Sequence, residues 1–150
     1  MNKILEVAVS YIGEKEIKGN QGFKNKSFEK KMEAVGFVRG YAWCCLFAEL
    51  CWVEGISEKK KELTKLFSAS VSKTQNNFIR AKGYCFDQEP TPGSLAIFRV
   101  FRNGRIHWTG HIGIVEEYDA KTKTFTCIEG NTNSKGCLLY TSDAADVCSV

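Results

Sequence analysis

The residues best suited to chemistry in this 150-residue sequence are one cysteine and one histidine. Cys44 directly follows Trp43 at the start of a long apolar run, and His111 is one of two histidines in the chain. A cysteine hydrolyses amides when a base lies near its sulfur and a third group orients that base. The sequence therefore predicts a Cys–His hydrolytic centre, provided that the fold brings Cys44 and His111 together.

Two polar residues are candidates for the third group. A predicted strand ends in Glu129-Gly130-Asn131, and strand alternation places Cys127, Glu129 and Asn131 on one face. Either Glu129 or Asn131 could bind the ring of His111 and fix its tautomer. Asn131 also has a purely structural interpretation, because Asn is typical of the first position of a turn. The pattern leaves the choice between them open.

The spacing of His107 and His111 raises the question of a metal site. On a helix, two histidines four residues apart could bind one metal ion. Here Thr109-Gly110 intervenes and the flanking residues are β-like, so we expect no metal ion and no cofactor. His107 is predicted at the rim of a hairpin. His111 lies near Gly110 and Gly113, where missing side chains let another element approach closely.

The element expected to position Cys44 is a helix over the run from Ala42 to Val53. Every residue in this run except Glu49 is apolar, aromatic or cysteine, which is typical of a helix inside a core. Cys44 lies in its first turn, where free N–H groups and the helix dipole favour a thiolate. The alternative is that Cys44 packs as a small buried hydrophobe in a structural protein.

The rest of the pattern predicts helices first and strands second. Asn103-Gly104 is typical of a tight hairpin turn between two of the strands. The order indicates an α+β fold with N-terminal helices packed on a C-terminal antiparallel sheet. The predicted helices cover 2–12, about 27–36, 42–53, 57–67, and 70 or 72 to about 83; the predicted strands cover 95–101, 111–119 and 122–128.

Composition limits the classes of function. The hydrophobic fraction of 43% and charged fraction of 25% are typical of one soluble globular domain. A net charge of +4 without a basic helix face argues against nucleic-acid binding. No apolar run is long enough for a membrane span, and the first residues lack a secretory signal, so we expect synthesis in the cytoplasm. The seven cysteines are then expected to be free thiols.

The last residues differ in character from the rest. The stretch from Cys137 to Asp146 resembles a translated sequencing-adapter read-through, so residues 137–150 are predicted to be a non-native tail. Residues 1–136 are then a single catalytic domain that lacks at least one closing strand.

Four motifs together resemble a known family. In chain order they are Trp43-Cys44-x-x-Phe47, Thr91-Pro92-Gly93, Gly110-His111-Ile112-Gly113-Ile114-Val115 and Glu129-Gly130-Asn131-Thr132. This order is similar to that of the cysteine, histidine-dependent amidohydrolase/peptidase (CHAP) family, over roughly residues 4–136. The resemblance implies a papain-like α+β fold and a bacterial cell-wall hydrolase that cleaves peptidoglycan, such as a phage lysin released through a holin.

The resemblance also implies site residues. Cys44 matches the nucleophile, His111 the general base, and Glu129 and Asn131 the two polar positions that follow. We expect substrate contacts from three nearby aromatic residues: Tyr41, Trp43 and Trp108. Cys45 falls on a variable position of the family. Ser94 stands where the family usually has Asp, and the acidic calcium loop of some members has no counterpart here, so no calcium is expected.

Within this resemblance, the bond cut is an N-acetylmuramoyl-L-alanine amide or a bond in the stem or bridge peptides. An endopeptidase of the related NlpC type, acting on a γ-D-glutamyl bond, is the nearest alternative enzyme. A non-catalytic wall-binding module with a degenerate site is an alternative of another class. The sequence carries no signal for an oligomeric state.

Overall fold

A computed structural model describes residues 2–85, 89–132, 138–143 and 147–150. Helices occupy the first half of the chain and antiparallel strands the second, so the predicted α+β fold is confirmed. In the described residues the helices are α1 (Lys3–Ser10), α2 (Lys26–Ala34), α3 (Cys44–Gly55), α4 (Lys60–Leu66) and α5 (Val71–Arg80), with a 3-10 turn at Ser57–Lys59. The strands are β1 (Leu95–Arg102), β2 (Arg105–Asp119), β3 (Thr124–Glu129), β4 (Leu138–Asp143) and β5 (Val147–Ser149).

Helix α3 is the centre of the core. Eleven of its twelve residues are buried, and Glu54 is the exception. A helix that is apolar on all sides needs neighbours on all sides, and α1, α2, α4 and the sheet supply them. At the crossing with α1, a Cβ on Gly55 would lie 2.7 Å from the backbone of Ile4. The predicted buried cysteine helix is therefore confirmed, with glycine permitting the close crossing.

Helix α1 is fixed at its start by Asn2. The Asn2 carboxamide oxygen accepts from the N–H groups of Ile4 and Leu5, which satisfies two of the free amides of the first turn. The Asn2 amide nitrogen donates to the carbonyl of Pro92 at 2.8 Å, just before β1. One side chain thus caps the first helix and ties it to the beginning of the sheet.

The five strands have the order β4-β3-β2-β1-β5, with antiparallel neighbours. The turn between β1 and β2 has φ of 51° at Asn103 and 72° at Gly104, as the predicted hairpin requires. One face of the sheet packs on the helices through the buried side chains of Leu95, Ile97, Ile112, Ile114 and Ile128. A second buried cluster consists of Ala96, Val115, Phe125 and Cys127.

Residues predicted to be a non-native tail pair with the sheet at both edges. Strand β4 pairs along β3, and β5 pairs with β1. Asp143 and Val147 are four peptide steps apart, a reach of at most about 15 Å, whereas four spacings between strands of a flat sheet span about 19 Å. The sheet must therefore curl so that its two edges approach each other. The foreign origin of residues 137–150 stays a prediction.

None of the helices in the described ranges has both the length and the apolar character that crossing a bilayer requires.

Candidate active site

Cys44 is the first residue of α3, and its surroundings leave the helix start open to an anion. The preceding residue, Trp43, caps the helix without a side-chain hydrogen bond, and the first turn holds no acidic residue. The first N–H groups of a helix lack partners within it. The backbone of Cys45 is among the groups that lower the pKa of the Cys44 thiol. Cys44 as a whole is 5% exposed and is therefore a buried residue.

The side chain of Trp43 fixes the position of this helix start from the core side. Its ring is fully buried, packs edge-on against Phe23 at 4.9 Å, and lies where a Cβ on Gly130 would approach within 2.4 Å. Its Nε1 donates to Glu16 at 2.7 Å. The prediction that Trp43 contacts substrate is therefore corrected, because no part of its side chain reaches the surface. No motif indicated its partner Glu16, since only the fold brings the segment between α1 and α2 against Trp43.

His111 approaches Cys44 from strand β2. It faces Phe98 across the β1–β2 ladder, with ring centroids 6.1 Å apart. Beside it, a Cβ on Gly110 would lie 2.6 Å from the Phe98 carbonyl and 3.0 Å from Val71 of α5, so the predicted close approach is confirmed. The imidazole also interacts with the sulfur of Cys44, and this interaction raises the pKa of His111. Since Nε2 is directed at Glu129, Nδ1 is the nitrogen left for this sulfur.

Glu129 holds the other side of the His111 ring. Its Oε2 lies 2.9 Å from His111 Nε2, and its side chain is 6% exposed. A Cβ on Gly113 would come within 2.8 Å of Glu129 Cγ, so glycine there lets the carboxylate cross β2 to the histidine. Thr132 Oγ1 also donates to Glu129 Oε2, at 3.4 Å. The sequence did not indicate this contact from Thr132.

Asn131 lies beyond the end of β3 and does not share the alternation that was predicted for it. Its φ is 63°, a left-handed conformation that Asn tolerates in turns. Of the two candidates for the third group, Glu129 is the one that hydrogen-bonds His111 in the described part of the chain. A catalytic contribution from Asn131 stays a prediction.

The electrostatics of the pair favour an ionised sulfur. Hydrogen bonds from the Cys45 thiol and then from His111 hold the pKa of Cys44 well below its usual range, against the opposing effect of burial. Burial acts to lower the pKa of His111, but its hydrogen bonds to Cys44 and Glu129 outweigh burial and raise it. One pKa is lowered and the other is raised, and both shifts favour a thiolate beside an imidazolium.

The remaining predicted residues lie around this centre. Tyr41 is 65% exposed on the segment that leads into α3, so its side chain is available to a ligand. Trp108 belongs to β2, but its side chain lies outside the described part of the structure. His107 hydrogen-bonds Thr109 through Nδ1. Across the described ranges, no three His, Cys, Asp or Glu residues are grouped so that they could hold a metal ion.

Cys45, the residue after the candidate nucleophile, affects Cys44 more than the sequence indicated. The resemblance places Cys45 only at a variable position, yet Cys45 is the first cause of the lowered pKa of Cys44. The sequence could have indicated this effect, because Cys44 and Cys45 are consecutive residues in the first turn of a helix. They therefore lie next to each other at its N-terminal end.

Comparison with known proteins gives one family. The family model of the CHAP domain matches residues 36–131. This range contains Cys44, His111, Glu129 and Asn131. No curated protein and no solved structure matches the chain.

Proposed function

The chain belongs to the CHAP domain family, and from this membership we propose that it hydrolyses an amide bond of peptidoglycan with Cys44 as the nucleophile. The family consists of cysteine- and histidine-dependent amidohydrolases and peptidases that act on the cell wall. The observation that carries the proposal is the 2.9 Å contact of His111 Nε2 with the buried carboxylate of Glu129. The same histidine lowers the pKa of the Cys44 thiol.

In the proposed reaction the Cys44 thiolate attacks the carbonyl carbon of the scissile amide. As the tetrahedral intermediate collapses, the carbon–nitrogen bond breaks and the His111 imidazolium gives its proton to the leaving amine. The acyl group then remains on sulfur as a thioester. His111, now neutral, takes a proton from a water molecule that attacks the thioester, which releases the carboxylic acid and restores the thiolate.

The start of α3 supports the charge that forms in this reaction. The oxygen of the tetrahedral intermediate becomes negative, and preorganised N–H groups stabilise such an oxygen. The N–H of Cys44 belongs to the first turn of α3 and is our candidate donor. Exposed Tyr41 is a second candidate donor or a wall of the substrate groove, and Trp108 stays a candidate contact.

Glu129 acts in this scheme as a positioning residue for His111. Its carboxylate accepts from Nε2, which directs Nδ1 towards the sulfur and stabilises the imidazolium. Because Glu129 is buried, its charge acts on the ring with little screening by solvent.

Purified sacculi and wall-derived muropeptides would test the proposal. Cys44→Ala should abolish release of soluble products and leave the thermal unfolding midpoint nearly unchanged, because it removes the reacting sulfur and little packing. Cys85→Ala, which changes an exposed cysteine, is the matched control and should hydrolyse normally. Full turnover by Cys44→Ala would reject Cys44 as the nucleophile.

The masses of the products would assign the bond. An N-acetylmuramoyl-L-alanine amidase frees intact stem peptides from the glycan, whereas a bridge endopeptidase leaves peptide fragments attached to it. Cleavage next to the γ-D-glutamyl residue would instead assign the NlpC-type reaction. Absence of any product from sacculi of several wall types, with Cys44 shown to be ionised, would reject peptidoglycan as the substrate.

The finer form of the proposal is a phage lysin that reaches the wall through a holin. This form predicts that cells producing the chain lyse when a holin is co-expressed and stay intact when the chain is produced alone. Lysis without the holin would reject this route of release.

A further inference from the structure

Glu16 is a buried carboxyl group that the mechanism above does not use. It lies in the segment between α1 and α2 and is 6% exposed. Its Oε2 accepts from Trp43 Nε1 at 2.7 Å, whereas its Oε1 is buried and has no hydrogen-bond partner in the described part of the chain. Burying a polar group costs free energy unless hydrogen bonds compensate for it, and native proteins contain few unpaired atoms of this kind. The role of this carboxyl group is therefore to be sought in its bond to Trp43.

The backbone of Glu16 is held in place by a small hairpin. Glu16 pairs with Phe23 in an antiparallel bridge, and the Ile17 N–H donates to the Gly22 carbonyl at 2.7 Å. Phe23 is fully buried, and its ring packs edge-on against Trp43 with the ring centroids 4.9 Å apart. The hairpin thus contacts Trp43 twice, through a hydrogen bond and through an aromatic ring. Because the backbone of the hairpin is fixed, its carboxyl group can fix the orientation of the indole.

Trp43 connects this hairpin to both halves of the candidate site. Cys44, the first residue of α3, follows it directly in the chain. On the sheet side, a Cβ on Gly130 would lie 2.4 Å from Cζ3 of the Trp43 ring, so the chain leaves β3 in close contact with this ring. Gly130 directly follows Glu129, the residue that hydrogen-bonds His111. The orientation of the ring therefore sets how far the start of α3 lies from the end of β3.

We propose that Glu16 is a positioning residue that acts through Trp43 and sets the separation of Cys44 from His111. This role rests on the proposed function of Cys44 in hydrolysis. Without the bond to Glu16 the indole can turn, and a turn of the ring moves the end of β3 that packs against it. A displacement of about 1 Å between reacting groups can reduce a rate about 10²-fold, so a small change in ring orientation is enough to affect turnover.

The first test is the kinetics of Glu16→Ala on a soluble muropeptide. We expect kcat to fall about tenfold or more and KM to stay within about twofold, because Glu16 is buried and contacts no substrate in the proposed mechanism. Glu16→Gln should restore most of kcat, since its carboxamide oxygen also accepts a hydrogen bond. Trp43→Phe removes the donor but keeps an aromatic ring, so it should lower kcat in the same way. It replaces Glu16→Ala in both tests if that variant folds poorly.

The second test needs no substrate and is therefore independent of the proposed function. It is the pH dependence of Cys44 alkylation by iodoacetamide, with the labelled sulfur assigned from fragment masses. Cys44 of the unaltered protein should be labelled below the usual thiol midpoint of about 8.5, and Glu16→Ala should move the midpoint towards that value. The reason is that a displaced His111 stabilises the thiolate less. If this shift is present but the unaltered protein cleaves no wall substrate, the proposed function is rejected and the positioning role is retained.

Glu54→Ala is the matched control. Glu54 lies at the opposite end of α3, where its Oε2 accepts from the Tyr11 hydroxyl at 2.6 Å, so it also ties this helix to an aromatic side chain. Its loss should lower the thermal unfolding midpoint but leave kcat and the labelling midpoint of Cys44 unchanged. Unchanged kcat or an unchanged labelling midpoint in Glu16→Ala would overturn the positioning role. Equal losses of kcat in folded Glu16→Ala and Glu54→Ala would overturn it as well, because general destabilisation would then account for both.

Discussion

The charge on Glu129 is the property of the site that a single substitution tests most directly. Glu129→Gln keeps an oxygen near His111 but removes the charge that helps to raise the pKa of the imidazole. We expect turnover to fall by about 10²-fold or more. The alkaline limb of the pH profile should move to lower pH, because the imidazolium of the variant loses its proton sooner.

The measurement is kcat/KM on a soluble muropeptide between pH 5 and pH 11. Asn131→Ala is the comparison, since it changes the other candidate and leaves the bond between His111 and Glu129 in place. A larger loss in Asn131→Ala than in Glu129→Gln would show that the third group had been misassigned.

Individual site residues could be predicted from the sequence where the chemistry of hydrolysis allows only a few residue types. Cys44, His111 and Glu129 could be selected because few residues serve as nucleophile, base and carboxylate, and the chain holds only two histidines. Trp43 was misread because an aromatic residue beside a nucleophile looks the same in the sequence whether its ring faces ligand or core. Its burial depends on Gly130 and Glu16, which are distant in the sequence.

At the level of helices and strands, the position of the segment that leads to α3 depends on a buried carboxylate of α2. Glu29 accepts from the Phe23 N–H at 2.7 Å and pairs with Lys26 and Arg39, which lowers its pKa to about 2. A carboxyl whose folded pKa is depressed stabilises the fold above its unfolded pKa of about 4.3 and loses this effect as pH falls towards 2.

Glu29→Gln should therefore be less stable than the unaltered protein at pH 7, and the difference should shrink as pH falls from about 5 to about 2. Urea unfolding at a series of pH values measures this directly. Glu33→Gln, on the exposed side of the same helix, should show no comparable difference at pH 7. A stability difference for Glu29→Gln that persists at pH 2 would show that the carboxylate acts through its shape and not through its charge.

The elements were predictable to the extent that their signals are local. A continuous apolar run with glycines at both ends indicates α3, and Asn103-Gly104 indicates the hairpin. The order of the sheet is non-local, since β1 pairs with the last strand of the chain, and no periodicity encodes such a partner. Strand β2 begins at Arg105, earlier than predicted, because its start is set by pairing with Arg102 of β1.

For the whole molecule, the contribution of residues 137–150 to the stability of the fold can be measured by deleting them. A chain ending at residue 136 loses the strands that pair with β3 and β1, and so exposes the backbone donors and acceptors of two edges. We expect a lower thermal midpoint and a tendency to associate. Scanning calorimetry and size-exclusion chromatography would measure the two effects.

Thr141→Pro provides a version of this test at full length, because proline removes a backbone donor from the strand paired with β3. It should lower the midpoint in the same direction as the deletion. An unchanged midpoint and a monomeric state for both variants would show that the segment adds nothing to the fold, as expected for a foreign tail.

The three groups of the site come from distant parts of the chain, which has a consequence for biosynthesis. Cys44 leaves the ribosome long before His111, and Glu129 follows a further 18 residues later. Until β2 and β3 have been made and have docked on α3, the sulfur lacks His111 and the carboxylate of Glu129 beside it. In the proposed mechanism the nascent chain therefore lacks its base, and Cys44 can act as a nucleophile only when folding is complete. The order of synthesis restrains this reactive sulfur in the way that a pro-segment restrains a zymogen.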